Sequence, residues 1–274
     1  MRLSGARASV AGHFGELLQG RLGPAGPVAL VSLPCPALRV TAWLRPDRRL
    51  RLHSPQRLIR LSDARRLLTD LGLAPRGAVA LRADMPPGGG AGASTAALVA
   101  LARCAAPGLA PATIARACHA VEGATDPLMF ARSEGLLWAS RAARVLGPLP
   151  ALPAFDILGG FLGPARRTDP ADCAFPDISD LLAPWSEAAA RSDLPALARL
   201  ATLSAERTLA LRGPAGDPTA ALARSLGALG IVIAHTGSAR GLIFAPGTRP
   251  ESARATLRRA GFHGLVHFRA GGHG

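Results

Sequence analysis

Apolar and polar residues alternate with a period of two through the first third of the chain, at 6–11, 28–33, 38–44 and Leu50–His53, with glycine and proline between the runs. That period predicts short, half-buried strands. Residues 62–71 switch to a helical period, with Leu67, Leu68 and Leu71 on one side and Arg65 and Arg66 turned outward. Alternation returns at Val79, Leu81, Ala83 and Met85. Helices are then predicted at 94–105 and Pro111–Glu122. Beyond a proline-rich stretch at 146–153, residues 155–160 predict a strand ending in a turn, and 194–211 predict a long helix. Asp217-Pro218 supplies an N-cap and first-turn pair for a helix reaching about residue 229. Residues 231–234 form a buried type of strand that runs into a second small-residue loop at 235–241. Strands and helices mix without strict alternation, which places the chain in the α+β class. The proline-rich stretch is the expected boundary between two halves, 1–150 and 151–274.

Composition changes this picture only slightly. At 274 residues the chain can bury a large core, and 49% apolar with 18% charged residues fits a globular protein in water. The net charge, 32 basic minus 18 acidic or +14, raises nucleic acid or an anionic membrane as a partner. Lysine, asparagine and tyrosine are absent while alanine, arginine, glycine and proline abound, so the excess of arginine reads as GC-rich coding. Arginines occur as pairs such as Arg48-Arg49 and Arg258-Arg259, never as blocks, and aromatics at 4% leave little for base stacking. The longest uncharged stretch, 85–102, is broken by prolines and glycines and is no membrane span. Cys35, Cys104, Cys118 and Cys173 show no metal or disulfide spacing, and the N-terminus lacks a hydrophobic signal region. The expectation is a cytoplasmic protein with neither nucleic-acid nor membrane partner and no assigned oligomeric state.

The chemistry concentrates in Pro86-Pro87-Gly88-Gly89-Gly90-Ala91-Gly92-Ala93-Ser94-Thr95, between a predicted strand and a predicted helix. Glycines let the backbone bend sharply and approach a ligand, and the helix start offers free amides and a positive dipole end. Strand, glycine turn and hydroxyl-bearing helix start make a phosphate cradle. The P-loop pattern is excluded because the chain has no lysine. The GxGxxG/A pattern of a dinucleotide-binding oxidoreductase is met at Gly88–Ala93, but no acidic residue lies between Asp84 and Glu122 to hold a ribose.

The loop resembles that of the GHMP kinase superfamily, P-x-x-x-G-x-x-S-S-x-A before a helix. Pro86, Gly90, Ser94 and Ala96 match it, with Ala93 where the first serine is usual. Ala11-Gly12-His13-Phe14-Gly15-Glu16-Leu17-Leu18-Gln19-Gly20 is similar to the N-terminal P-G-x-x-G-E-L-x-Q-G element, and His235-Thr236-Gly237-Ser238-Ala239-Arg240-Gly241-Leu242 to the C-terminal glycine-rich motif. Together with Glu122-Gly123-Ala124-Thr125-Asp126-Pro127-Leu128-Met129-Phe130, they resemble the L-threonine kinases of cobalamin biosynthesis and propanediol utilisation. The resemblance implies a two-domain kinase with an N-terminal ribosomal-protein-S5-like half and a C-terminal ferredoxin-like half. It also implies ATP, Mg²⁺ and a small amino acid or amino alcohol as acceptor. Homoserine, serine and ethanolamine stand as alternatives to threonine.

On that footing Pro87, Gly88, Gly89, Gly90, Ala91, Gly92, Ala93, Ser94 and Thr95 would hold the ATP phosphates. Ser94 and Glu122 would complete the Mg²⁺ shell. Asp126 corresponds to the acid that accepts or orients the acceptor's hydroxyl proton. Ser94 or Thr95 as an N-cap, Asp126-Pro127 as a helix start and Glu122 as a solvated carboxylate are the plain structural alternatives. Glu16 is the candidate for a substrate ammonium group. His13 stands where many members have a catalytic lysine, and an ordinary imidazole is mostly neutral at pH 7. Gly237 and Ser238 would bring a second turn to the substrate or phosphate, or form an ordinary turn. His235 is expected to be a core or strand-end histidine.

Overall fold

The structure, a computed structural model, describes residues 5–166 and 169–272. Two long strands, β1 (Ala6–Arg21) and β2 (Val28–Arg45), form an antiparallel hairpin at its centre. Both outrun the predicted runs because irregularities absorb the residues that interrupt the alternation. On β2 the register jumps from Arg39 opposite Ala11 to Cys35 opposite Gly12, so Pro36, Ala37 and Leu38 bulge out and the strand continues. On β1 the shifts fall between His13, Glu16 and Leu18, around Gly15 with its positive φ of 72°.

Next come β3 (Leu50–His53), α1 (Leu61–Asp70) and β4 (Gly77–Ala83). Then follow α2 (Ala93–Ala105), α3 (Pro111–Glu122) and the hairpin β5 (Leu136–Ala139)–β6 (Arg144–Pro148). Beyond the proline-rich stretch the order is β7 (Phe155–Phe161), α4 (Ser179–Ala190), α5 (Leu194–Arg212) and α6 (Thr219–Ser225). The chain closes with β8 (Gly230–Ile233), β9 (Ala239–Phe244), α7 (Ala253–Arg259) and β10 (His263–Ala270).

One curled sheet runs β10-β7-β9-β8-β1-β2-β4-β3, with β5 branching from β2. Among its ladders only β3–β4 is parallel. A doubly wound dinucleotide-binding sheet is therefore excluded, and the α+β class holds. The two sides of the sheet meet at a single pairing, Glu16 opposite Ile233. Helix α2 is apolar almost all round, which suits a helix buried on every side. It packs on β1 and β2 and carries the glycine loop into the sheet's centre.

Several predicted bounds shift for identifiable reasons. β7 does not turn at Gly159-Gly160. A side chain at Gly159 would strike the Arg240 carbonyl and the Phe14 ring at 2.4 Å, so glycine serves close sheet packing there. The loop after β8 is shorter than predicted, because 239–241 already pair with β7. Helix α6 stops at Ser225, short of residue 229. Helices α4 and α7 and strands β5, β6, β9 and β10 have no counterpart in the periodicity reading. All four cysteines are free, and no helix of the described residues is long and apolar enough to cross a membrane.

Candidate active site

A cleft of about 410 Å³ opens where β1, the start of α2 and the end of α3 converge. Its wall is the glycine loop. Gly88, Gly90 and Gly92 all take positive φ, at 74°, 77° and 69°, a region that β-carbons disfavour. Gly92 itself is the N-cap of α2, with no side-chain cap, so Ser94 and Thr95 are first-turn helical residues rather than caps. The Ala96 amide bonds back to Gly92 at 2.8 Å, and the preceding amides stand at the positive end of the helix.

Two neighbours hold the loop from behind. The His13 amide donates to Ala91 O at 3.2 Å, and the amides of Ser238 and Ala239 donate to Gly89 O at 3.1 and 2.9 Å. A β-carbon on Gly237 would lie 2.6 Å from Gly90 N. Gly237, Ser238 and Gly89 thus sit at the back of the loop, while Ala234, His235 and Thr236 from the same turn line the cleft. The second glycine turn therefore packs against the first, with Gly237 and Ser238, expected beside substrate or phosphate or in an ordinary turn, bracing the loop from behind.

His13 and Glu16 would point to opposite faces of a regular strand, being three residues apart. The bulge at Gly15 turns both inward, with His13 Nδ1 lying 3.2 Å from Glu16 Oε1. On its other side His13 Nε2 lies 3.2 Å from Asp126 Oδ2. Nδ1 also lies 3.2 Å from the Gly15 carbonyl, which takes its hydrogen bond, and with a carboxylate close to each nitrogen the ring is held as an imidazolium. Burial works against that charge, but Asp126 and Glu16 outweigh it and raise the His13 pKa to about 9. The expectation of a mostly neutral His13 is corrected: it supplies a fixed positive charge. Burial likewise opposes ionisation of Asp126, yet His13, the Thr95 hydroxyl and Arg141 hold that carboxyl below its usual range. Glu16 goes the other way, pushed up to about 7 by burial against the pull of His13.

Asp126 begins no helix. It lies in an irregular segment after α3, pinned where the Thr125 amide donates to Ser140 O at 3.0 Å and Trp138 Nε1 donates to Thr125 O at 2.7 Å. Glu122, the last residue of α3, accepts the Thr95 hydroxyl at 2.8 Å. Burial raises its pKa to about 7, against the hydroxyls of Ser94 and Thr95. Glu122 is thus a half-buried carboxylate on the cleft wall, tied to the first turn of α2.

No protein-family model matches this sequence, and no curated protein does. Solved structures match over nearly the whole chain at low identity. Mevalonate kinase from methicillin-resistant Staphylococcus aureus aligns with a TM-score of 0.65 and 15% identity, covering 98% of this chain and 99% of that one. Homoserine kinase from Cytophaga hutchinsonii gives 0.64 and 14%, covering 96% and 94%. Mevalonate kinase from Methanococcus jannaschii gives 0.66 and 12%, covering 99% of both. The fold is that of the GHMP kinases.

Within this GHMP kinase fold the cleft also gathers residues that sequence reading passed over. Arg60, Arg141 and Arg166 line it, as do Gln19 and Phe175. The Arg166 amide donates to Gly88 O at 2.8 Å, which lays the segment after β7 across the loop. His235 stacks face to face on Phe175 at 4.0 Å, and burial together with the Arg212 charge pushes its pKa down to about 3. It is a neutral ring in the cleft wall. No spacing in the chain announces these partners, because each arrives from a separate element.

Proposed function

We propose that this chain is an ATP-dependent kinase that phosphorylates the hydroxyl of a small amino acid, with L-threonine the preferred acceptor and O-phospho-L-threonine the product. The observation that carries this reading is one cleft holding both halves of the chemistry. A left-handed glycine loop at a helix start faces an ionised Asp126 anchored to a buried cation. Phosphoryl transfer asks for positioning and charge stabilisation more than for covalent chemistry.

In this account the backbone amides of Gly88 and of Gly90 to Thr95 hold the triphosphate, with Pro87 and Ala91 shaping the turn and Ala93 starting the helix; Gly89, expected from the sequence to join them, instead spends its amide on Pro86 O at 3.2 Å behind the loop. Asp126 orients the acceptor hydroxyl and takes its proton as the new O–P bond forms. His13 holds Asp126 in place and ionised, and its positive charge stands where the resembled family carries lysine. Glu16 faces the acceptor's ammonium group through Oε2, which is buried and without a partner among the described residues.

The oxygens of Glu122 and Ser94 fit Mg²⁺, a hard cation that takes carboxylate and hydroxyl donors, and Glu122 sits poised near neutrality beside them. Bound there, Mg²⁺ would offset the charge of the phosphate oxygens. Arg60 and Arg166 line the cleft and are the cations available to the phosphates in a chain without lysine.

The test is incubation of purified protein with Mg-ATP and a panel of L-threonine, L-serine, L-homoserine and ethanolamine, followed by phosphorus NMR. Phosphothreonine well above the others is expected. A different preferred alcohol would keep the kinase and replace the substrate, and no phosphomonoester from any of them would overturn both.

A further inference from the structure

The cleft holds a guanidinium, Arg141, that helps keep Asp126 ionised and has one donor nitrogen still open. Arg141 follows β5, which lies on β2 through Ala29–Ala139 and Leu30–Trp138. Leu30 in turn faces Gln19 of β1. Arg141 thus stands at the end of a floor made by Gln19, Leu30 and Ser140, all of which line the cleft.

Its position is fixed on several sides. The His119 ring bonds its carbonyl at 2.9 Å, and Nη2 donates to the carbonyls of Asp169 at 3.1 Å and Asp172 at 3.4 Å. The guanidinium lies 5.7 Å from the centre of the Phe175 ring. Nη1, by contrast, is buried with no hydrogen-bond partner among the described residues. The acids near enough to act on its charge have their own partners: Asp172 pairs with Arg212, Asp169 Oδ1 accepts the Ala171 amide, and Asp126 pairs with His13. A donor nitrogen of a charged group that is held in place and buried without an acceptor is costly to a folded chain unless a ligand completes it.

We propose that Arg141 Nη1 receives the carboxylate of the acceptor, so that the substrate is recognised as a hydroxy acid whose alcohol oxygen reaches Asp126. The alcohol half of this statement rests on the kinase reading; the acid half does not. A carboxylate is favoured over the triphosphate because the amides of the glycine loop and α2 already form an anion site. Arg141 instead rises from the β1–β2–β5 floor beside the Phe175–His235 stack. His235, being neutral, adds no competing charge there.

The test begins with ligands rather than variants. Calorimetry on the nucleotide-free protein compares L-threonine, L-serine and L-homoserine with their carboxamides, which keep the ammonium and hydroxyl and lose only the negative charge. At least one acid is expected to bind roughly 10- to 100-fold tighter than its amide, the worth of a charged hydrogen bond. Arg141→Gln should erase that preference and Arg141→Lys should keep part of it, with thermal unfolding run on both to confirm that they fold. No preference for any acid over its amide, or a preference that survives Arg141→Gln, overturns the proposal.

With Mg-ATP added, Arg141→Gln should raise KM for the acid by the same factor and leave KM for ATP within about twofold. A rise in KM for ATP that is equal with acid and amide would assign Arg141 to the triphosphate and also overturn it. If an acid binds through Arg141 while wild-type protein phosphorylates nothing, the kinase reading falls and this one stands.

Discussion

Asp126→Asn is expected to lower turnover by roughly 10²- to 10⁴-fold, the range that a positioned general base contributes, while nucleotide affinity changes little. The substitution keeps the shape of the side chain and its ability to accept a hydrogen bond from His13 Nε2. What it removes is the ability to take a proton. Asp126 makes no helix cap, but its pair with His13 at 3.2 Å also adds to stability, so thermal unfolding of the variant is recorded beside its turnover. Turnover measured with saturating ATP and acceptor, alongside nucleotide binding by calorimetry, checks the prediction. Near-normal turnover would leave Asp126 as no more than the anchor of the loop after α3.

The second large effect is expected at His13. This residue is 3% exposed and holds Asp126 and Glu16 apart. His13→Gln leaves two carboxylates facing each other without a cation, and loss of one partner from a buried pair costs about 3–5 kcal/mol. Turnover should fall with it, because Asp126 then loses the charge that keeps it ionised. His13→Lys, which restores a cation, should recover part of both; the recovery is incomplete because the site is shaped for a ring, with the position of a Gly92 β-carbon only 2.6 Å from His13 Cδ2.

The same residue sets a pH dependence whose sign follows from its raised pKa. The folded protein holds the His13 proton up to about pH 9, whereas an ordinary histidine loses it near 6.5. The stability His13 contributes is therefore complete below pH 6.5 and is lost as pH rises through about 9. Denaturant midpoints recorded across this interval should fall steadily. A flat profile would mean that the imidazole is neutral and that the two carboxylates share a proton instead.

The parts of the site that are local in sequence could be read from it. The glycine run, the strand before it and the apolar helix after it form one continuous segment, and all of them fold as the periodicity and backbone chemistry require. Gly12 to Gln19 could be recognised as an element, yet the inward turn of His13 and Glu16 could not, because it depends on a bulge that a period-two pattern hides. The charge of His13 is hidden from the sequence for a related reason. Its pKa is set by Asp126, more than a hundred residues away, and an isolated imidazole carries no sign of that neighbour.

Arg141, Phe175 and His235 were invisible as a group, since a β-hairpin, an irregular segment and the turn after β8 bring them together. Helix α4 escaped for a local reason: Pro184 interrupts the expected helical reading, though the helix accommodates it. The glycines of β7 misled in the opposite direction, because tight packing against Phe14 and the Arg240 backbone calls for the same residue as a turn does.

All of this depends on where the triphosphate binds, and a crystal of the protein with Mg²⁺ and a non-hydrolysable ATP analogue examines it directly. The expected result is phosphate density on the backbone amides of Gly88 and of Gly90 to Thr95, with the terminal phosphate directed at Asp126. A nucleotide seated elsewhere, for instance in the groove between α4, α5 and α6 around Leu200 and Leu203, with the glycine loop empty, would contradict the account.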